Sequence, residues 1–235
     1  MSERPVVLVT GASRGIGQHL ARHFVERDAI VVGCSRSAEA DLDSPDYTHY
    51  VTDVRSEVEV VELFRAIRRD HGRLDVAINN AALTPTRTLV ALTPGAVAAD
   101  VLTTNTLGPF LVCREAVKLM MRRKAGRIVN VGSMVTRLQL EGEAVYTASK
   151  AALNTMTVVL AREVAPHGIT CNVVAPGMVD TESMAEVDSP ALRAAVAPHA
   201  VAEIGPVADV AAAIDLLIDP GAAGITGQIV YLGGA

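Results

Sequence analysis

Short, uninterrupted apolar runs alternate along the chain with longer stretches in which apolar residues return every three or four positions. The first kind covers residues 6–9, 30–34, 49–51, 76–79, 127–131, 170–174 and 228–232. Brief apolar runs without polar alternation predict strands buried on both faces. The second kind covers 15–27, 57–71, 98–123, 145–165 and 207–218, and its period predicts helices with one face against a core. Strands alternating with helices build βαβ units. Right-handed crossovers then give an α/β fold, a doubly wound parallel sheet of the Rossmann type, with about seven strands and helices on both faces. No repeat, low-complexity tract or long linker divides the chain, so residues 1–235 are expected to form one domain. One link breaks the pattern. Residues 37–47, with Asp41, Asp43, Ser44, Pro45 and Asp46, are too short and too broken for a full crossover helix.

Composition narrows the picture. Half of the residues are hydrophobic but only 3% are aromatic, so the core is built from closely packed Ala, Val, Leu and Ile. A formal net charge of −5 argues against a general binder of nucleic acid or of anionic membranes. Cys34, Cys113 and Cys171 are widely spaced and form no C-x-x-C pair, which predicts reduced core thiols of a cytoplasmic protein. Met1-Ser2-Glu3-Arg4-Pro5 leads straight into the first strand, so no signal peptide is expected, and no apolar stretch is expected to reach membrane-spanning length. The histidines show no metal-ligand spacing and are expected to be surface or structural residues.

Candidate chemistry begins at Thr10-Gly11-Ala12-Ser13-Arg14-Gly15-Ile16-Gly17, between the first strand and the first helix. Such a turn offers an anion the free N–H groups and the dipole of a helix N-terminus. Its glycines depart from the G-x-G-x-x-G spacing, and it carries an arginine. An NAD enzyme places an acid about 20 residues further on, against the adenosine ribose. Here the second strand ends Gly33-Cys34-Ser35-Arg36 instead. Arg14 and Arg36 together suit a 2′-phosphate, so NADP(H) is preferred over NAD(H). Two solvated surface arginines are the plain alternative.

A second constellation is Ser133, Tyr146 and Lys150. Tyr146 and Lys150 stand at i, i+4 near the start of a helix and share one face. An ammonium near a phenol favours the phenolate, so the pair predicts a tyrosine pKa below its usual ~10 and a group fit for acid–base work. Ser133 follows the 127–131 strand at its carboxyl end, where doubly wound sheets bind ligands. A Tyr-x-x-x-Lys by itself also fits an ordinary helix surface.

In order along the chain, the glycine turn, Asn79-Asn80-Ala81, Asn105, Ser133, Tyr146-x-x-x-Lys150 and Pro176-Gly177 resemble the short-chain dehydrogenase/reductase family. The resemblance spans essentially the whole chain. Stretches such as Ala161-Arg162-Glu163-Val164 and Gly168-Ile169-Thr170 are most similar to bacterial 3-oxoacyl-carrier-protein reductases. It implies that Tyr146 is the general acid in carbonyl reduction or the base in alcohol oxidation. Lys150 would bond the nicotinamide ribose, Ser133 would hold the substrate oxygen, and Asn105 would hold a proton-relay water. Gly11, Ser13, Arg14, Gly15, Ile16, Gly17 and Arg36 would line the cofactor's phosphates. Asp53 and Val54 would meet the adenine, Asn79 and Ala81 its ribose, and Pro176, Gly177 and Thr181 the nicotinamide amide. Ala82 stands where the family usually has glycine.

Substrate contacts are expected from Leu138, Leu140, Glu143, Val145, Met178 and residues 182–199, with Glu143 either a hydrogen-bond acceptor or an exposed loop carboxylate. The resemblance implies a ketone or alcohol substrate, an acyl-carrier protein that the basic Arg122-Arg123-Lys124 would dock, and a homotetramer or homodimer; a solvated helix C-terminus favoured by the dipole is the other reading of that basic cluster. Three readings follow: an NADPH-dependent ketone reductase, an alcohol dehydrogenase working oxidatively, or a non-catalytic nucleotide sensor or scaffold on the same fold.

Overall fold

The structure, a computed structural model, describes residues 4–38, 42–180 and 205–233. Seven parallel strands form one sheet: β1 (Val6–Thr10), β2 (Ile30–Ser35), β3 (Tyr47–Val51), β4 (Val76–Asn79), β5 (Gly126–Val131), β6 (Ile169–Ala175) and β7 (Ile229–Tyr231). Their spatial order is β3-β2-β1-β4-β5-β6-β7, so the chain reverses direction between β1 and β4. That reversal opens the crevice in which doubly wound sheets hold ligands, at the carboxyl ends of the strands. β1, β4 and β6 are buried at every residue, as expected of parallel strands covered on both faces.

One core lies between the sheet and α2 (Glu57–His71), α4 (Gly108–Met120) and α6 (Ala144–Val164), with Leu63, Ile67, Val112 and Ile128 at its centre. The other lies beneath α1 (Gly15–Glu26) and α7 (Val207–Ile218) and holds Leu20, Phe24, Ile78 and Ile214. α2 illustrates how local signals set an element. Ser56 caps it by accepting from Glu59 N, acidic residues occupy its first turn, and Gly72 ends it in a left-handed conformation.

The helix expected over 98–123 begins earlier and is not uniform. α3 (Gly95–Leu102) continues through a widened turn, Thr103–Leu107, into α4. The whole Gly95–Met120 run is 26 residues long, and its most apolar window has a mean hydropathy of 1.3. That is enough for a membrane span by length and composition, contrary to the expectation from the sequence. Its apolar side chains have another use: Val101, Leu111, Val112, Ala116 and Met120 are buried in the protein core. A short α5 (Val135–Leu138) follows β5 and was not expected. Between β2 and β3 none of the described residues is helical, in line with the broken 37–47 link.

Candidate active site and cofactor crevice

The turn after β1 is fixed by the sheet beneath it. Gly11 N and Ala12 N donate to Cys34 O on β2, and Asn80 Nδ2 donates to Thr10 O at 2.9 Å. Thr10 Oγ1 accepts from Asn80 N and Ala81 N, which ties the end of β4 to the same turn. The backbone folds so tightly that a Cβ on Gly17 would lie 2.1 Å from Gly11 O. α1 starts from an extended Arg14, with no side-chain cap and no acid in its first turn. Its leading N–H groups therefore have no side-chain acceptor, a set of donors that a pyrophosphate satisfies. Ser13 is half-buried, and Ile16 packs on the core under α1.

Arg14 and Arg36 are exposed, and among the described residues neither guanidinium makes a hydrogen bond or an ion pair. Asp53 is differently placed. Arg55 grips its carboxylate through Nε and Nη2, at 2.9 and 2.6 Å from Oδ2, and this pairing holds the Asp53 pKa below the usual carboxylate value. Val54 is buried against the first residue of α4. Asn79 is buried as well. Its amide donates to Asn130 Oδ1 at 2.8 Å and lies 3.2 Å from Cys113 Sγ, inside the sheet. Asn130 in turn reaches Thr157 on α6, so a polar chain crosses the middle of the core. Ala82 is exposed and has no positive φ, so its methyl group is accommodated without strain.

At the other end of the crevice, β5 and α6 bring Ser133, Tyr146 and Lys150 together. Lys150 is 3% exposed, and its Nζ donates to Val131 O at 2.8 Å. Burial lowers its pKa to about 8. Asn105 sits within the widened turn and is fully buried. Its Oδ1 accepts from Leu83 N, while Nδ2 donates to Leu83 O and to Ser149 Oγ. Its side chain thus clamps the β4 loop to α6. π-type turns of this kind recur at functional sites because they disturb the regular carbonyl ladder.

The expected depression of the Tyr146 pKa by Lys150 is not what this arrangement produces. Burial of the phenol dominates and holds its pKa above the ordinary value; the nearby Thr84 and Ser133 hydroxyls oppose the shift, and the charge of Glu143 adds to it. The ammonium is 5.9 Å from the tyrosine ring centroid and is committed to Val131, so it exerts little pull on the phenol. At neutral pH the group is a protonated donor.

Tyr146 opens on a cavity of about 410 Å³, walled by Thr84, Pro85, Thr88, Pro94, Val97 and Val145. Leu138, Leu140, Glu143 and Met178 are half-buried but do not line it. Glu143 is 3.6 Å from Arg87 Nε, and burial raises its pKa. The same arginine donates to Glu141 O, and Thr88 N donates to Gly142 O, closing the wall between the two loops. Pro176 O accepts from Met134 N, and Gly177 is exposed beyond the end of β6. Thr181 and residues 182–199 lie outside the described residues. Sequence reasoning missed Thr84, Arg87 and Ser149. Only Thr84 left a signal, because it follows closely on the carboxyl end of β4, where ligands gather.

Comparison with known proteins gives one consistent result. A family model described as short chain dehydrogenase matches residues 5–191. The 3-oxoacyl-[acyl-carrier-protein] reductase FabG of Vibrio cholerae is 33% identical over 99% of this chain and 97% of its own length. The FabG of Escherichia coli is 32% identical over the same shares. Among solved structures, ElxO with NADP bound superposes with a TM-score of 0.90 at 29% identity, covering 98% of this chain and 97% of that one. A tyrosine-to-phenylalanine variant of ElxO with NADPH bound matches equally well, at a TM-score of 0.90 and 28% identity over 97% of each chain.

Proposed function

This chain belongs to the short-chain dehydrogenase family, and from that premise we propose that it is a cytoplasmic NADPH-dependent reductase that converts a ketone to a secondary alcohol. The observation that carries the reductive reading is Tyr146 itself. It faces the cavity, feels the nearby Ser133 hydroxyl, and is kept protonated at neutral pH by burial. A protonated phenol is the group that carbonyl reduction requires and that alcohol oxidation would first have to ionise.

The cofactor, when bound, supplies the hydride that the carbonyl carbon accepts. The protein's residues do the rest. The Ser133 hydroxyl donates to the carbonyl oxygen as negative charge develops there. Tyr146 Oη delivers the proton to that oxygen and becomes a phenolate. The Lys150 ammonium would bond the nicotinamide ribose, and a proton would return to the phenolate through the Asn105 turn. Gly11, Gly15 and Gly17 let the backbone approach the pyrophosphate, while Arg14 and Arg36 face the 2′-phosphate. Their exposure and their lack of other partners among the described residues support this assignment.

The substrate class is a 3-oxoacyl thioester or a related keto intermediate. Arg122, Arg123 and Lys124 are exposed beyond α4, where an acidic carrier protein would dock. Leu102, Leu107 and Phe110 on the α3–α4 run and Val159 on α6 are also exposed, and these neighbouring helices would cover one another's apolar side chains in a homodimer or homotetramer.

The deciding experiment follows NADPH oxidation with the purified protein over a set of ketones, including free and carrier-bound 3-oxoacyl thioesters. Turnover of a thioester, with a lower KM for the carrier-bound form, is expected. Tight NADPH binding without oxidation by any ketone would instead favour a nucleotide sensor.

A further inference from the structure

The end of β2 carries Arg36, and a side-chain relay from β3 holds the backbone around it. Gly33 lies opposite His49 and Ser35 opposite Val51 in the parallel register. Tyr47 and His49 are two residues apart and so share one face of β3. A Cβ at position 33 would come within 2.1 Å of Tyr47 Oη, so only glycine lets that ring lie across β2. Tyr47 Oη is 2.6 Å from His49 Nδ1. On the far side of the imidazole, Nε2 is 3.0 Å from Ser35 Oγ and 3.1 Å from Ser37 O.

Matching donors to acceptors assigns the protons. Ser37 O is a carbonyl and can only accept, and Ser35 Oγ already donates to it at 2.8 Å. His49 Nε2 therefore carries the hydrogen in the neutral ring and donates to this pair. Nδ1 is then the acceptor, and Tyr47, whose pKa burial pushes up to about 12, is its donor. Burial also lowers the His49 pKa, which favours the neutral ring. The chain Tyr47 to His49 to the 35–37 turn runs in one direction with each proton placed.

The residues on either side of Arg36 are thus both tied to His49, while its own guanidinium is exposed and has no partner among the described residues. Asp53, the acid whose pKa feels the Arg36 charge, is already gripped by Arg55 and does not draw Arg36 into an ion pair. No crossover helix among the described residues supports this turn from below, so the relay takes that part. We propose that Tyr47 and His49 are positioning residues for cofactor selectivity: they hold the 35–37 turn so that Arg36 meets the 2′-phosphate of NADPH. The inference rests on the assignment of Arg36 made above. Its physical basis is preorganisation, since an arginine on a fixed backbone loses less freedom when it binds.

The test measures dissociation constants for NADPH and NADH, together with kcat and KM for NADPH, on the full chain. His49→Phe, His49→Gln, Tyr47→Phe and Arg36→Ala are compared, with thermal melts to establish folding. In His49→Phe, NADPH binding should weaken by about tenfold, NADH by less than about twofold, and the loss should appear in KM rather than kcat. Tyr47→Phe should show a smaller loss of the same kind. His49→Gln, which can still donate to Ser37 O, should recover most of the affinity. Adding His49→Phe to Arg36→Ala should change nothing further. Equal weakening of both cofactors, or none, in His49→Phe while Arg36→Ala abolishes selectivity would overturn the relay and leave the arginine assignment standing. Unaltered selectivity in Arg36→Ala would overturn both.

Discussion

The two ends of the crevice solve the problem of charge differently. At the proposed nicotinamide end Lys150 is 3% exposed and Asn105 and Ser149 are fully enclosed, with Ser133 and Tyr146 half-buried beside them. Desolvation moves both titratable groups, raising the Tyr146 pKa and lowering that of Lys150 to about 8. At the adenosine end Arg14 and Arg36 stand in solvent with no protein partner among the described residues. Charge near a low-dielectric interior is expensive and position-sensitive, whereas charge in water is cheap to maintain and screened. Chemistry is therefore expected to fail abruptly when the first end is altered, and affinity to decline gradually when the second is.

The strongest way to break this contrast is Tyr146→Phe. Loss of the group that delivers the proton to the substrate oxygen should reduce kcat by roughly a thousandfold or more, while NADPH binding measured by fluorescence titration stays near its original value. A variant that retains a tenth of the activity would deny Tyr146 its role. Next in size is the double variant Arg14→Ala with Arg36→Ala. It should weaken NADPH by about a hundredfold and NADH only slightly, because two charge-assisted contacts disappear that NADH never makes. Equal weakening of the two cofactors would mean that both arginines are ordinary surface residues.

The last of these tests concerns pH. The depressed Lys150 pKa means that its ammonium is lost as pH rises through about 8, rather than near the ordinary lysine value. The rate of ketone reduction should accordingly fall about tenfold for each pH unit above that point. A profile of NADPH oxidation between pH 6 and 10 reads this directly, and an alkaline limb near 10 would place Lys150 in a wetter site than the one described.

Legibility from sequence followed the range of the interactions. Helices α2 and α7 begin and end where their apolar period and flanking residues place them, because propensity, capping and amphipathicity are local. The widened turn at Asn105 left no such trace, since a π-type turn keeps helical periodicity on both sides. Glu143 was legible as a carboxylate near the tyrosine but not as the partner of Arg87, which arrives from a loop after β4. His49 looked like one more unassigned histidine until the β2–β3 register set it beside Ser35 and Ser37.

The linear order of residues by itself determined the alternation of strands and helices, the sheet they wind into, and the positions that match the family's motifs. These depend on periodicity and on spacing within one or two turns of chain. Tertiary structure alone decided the protonation of Tyr146, the partner of each buried amide, the wall of the cavity and the support beneath Arg36. Those properties depend on how deeply a group is removed from water and on which strands lie side by side, and both are settled only when distant segments pack.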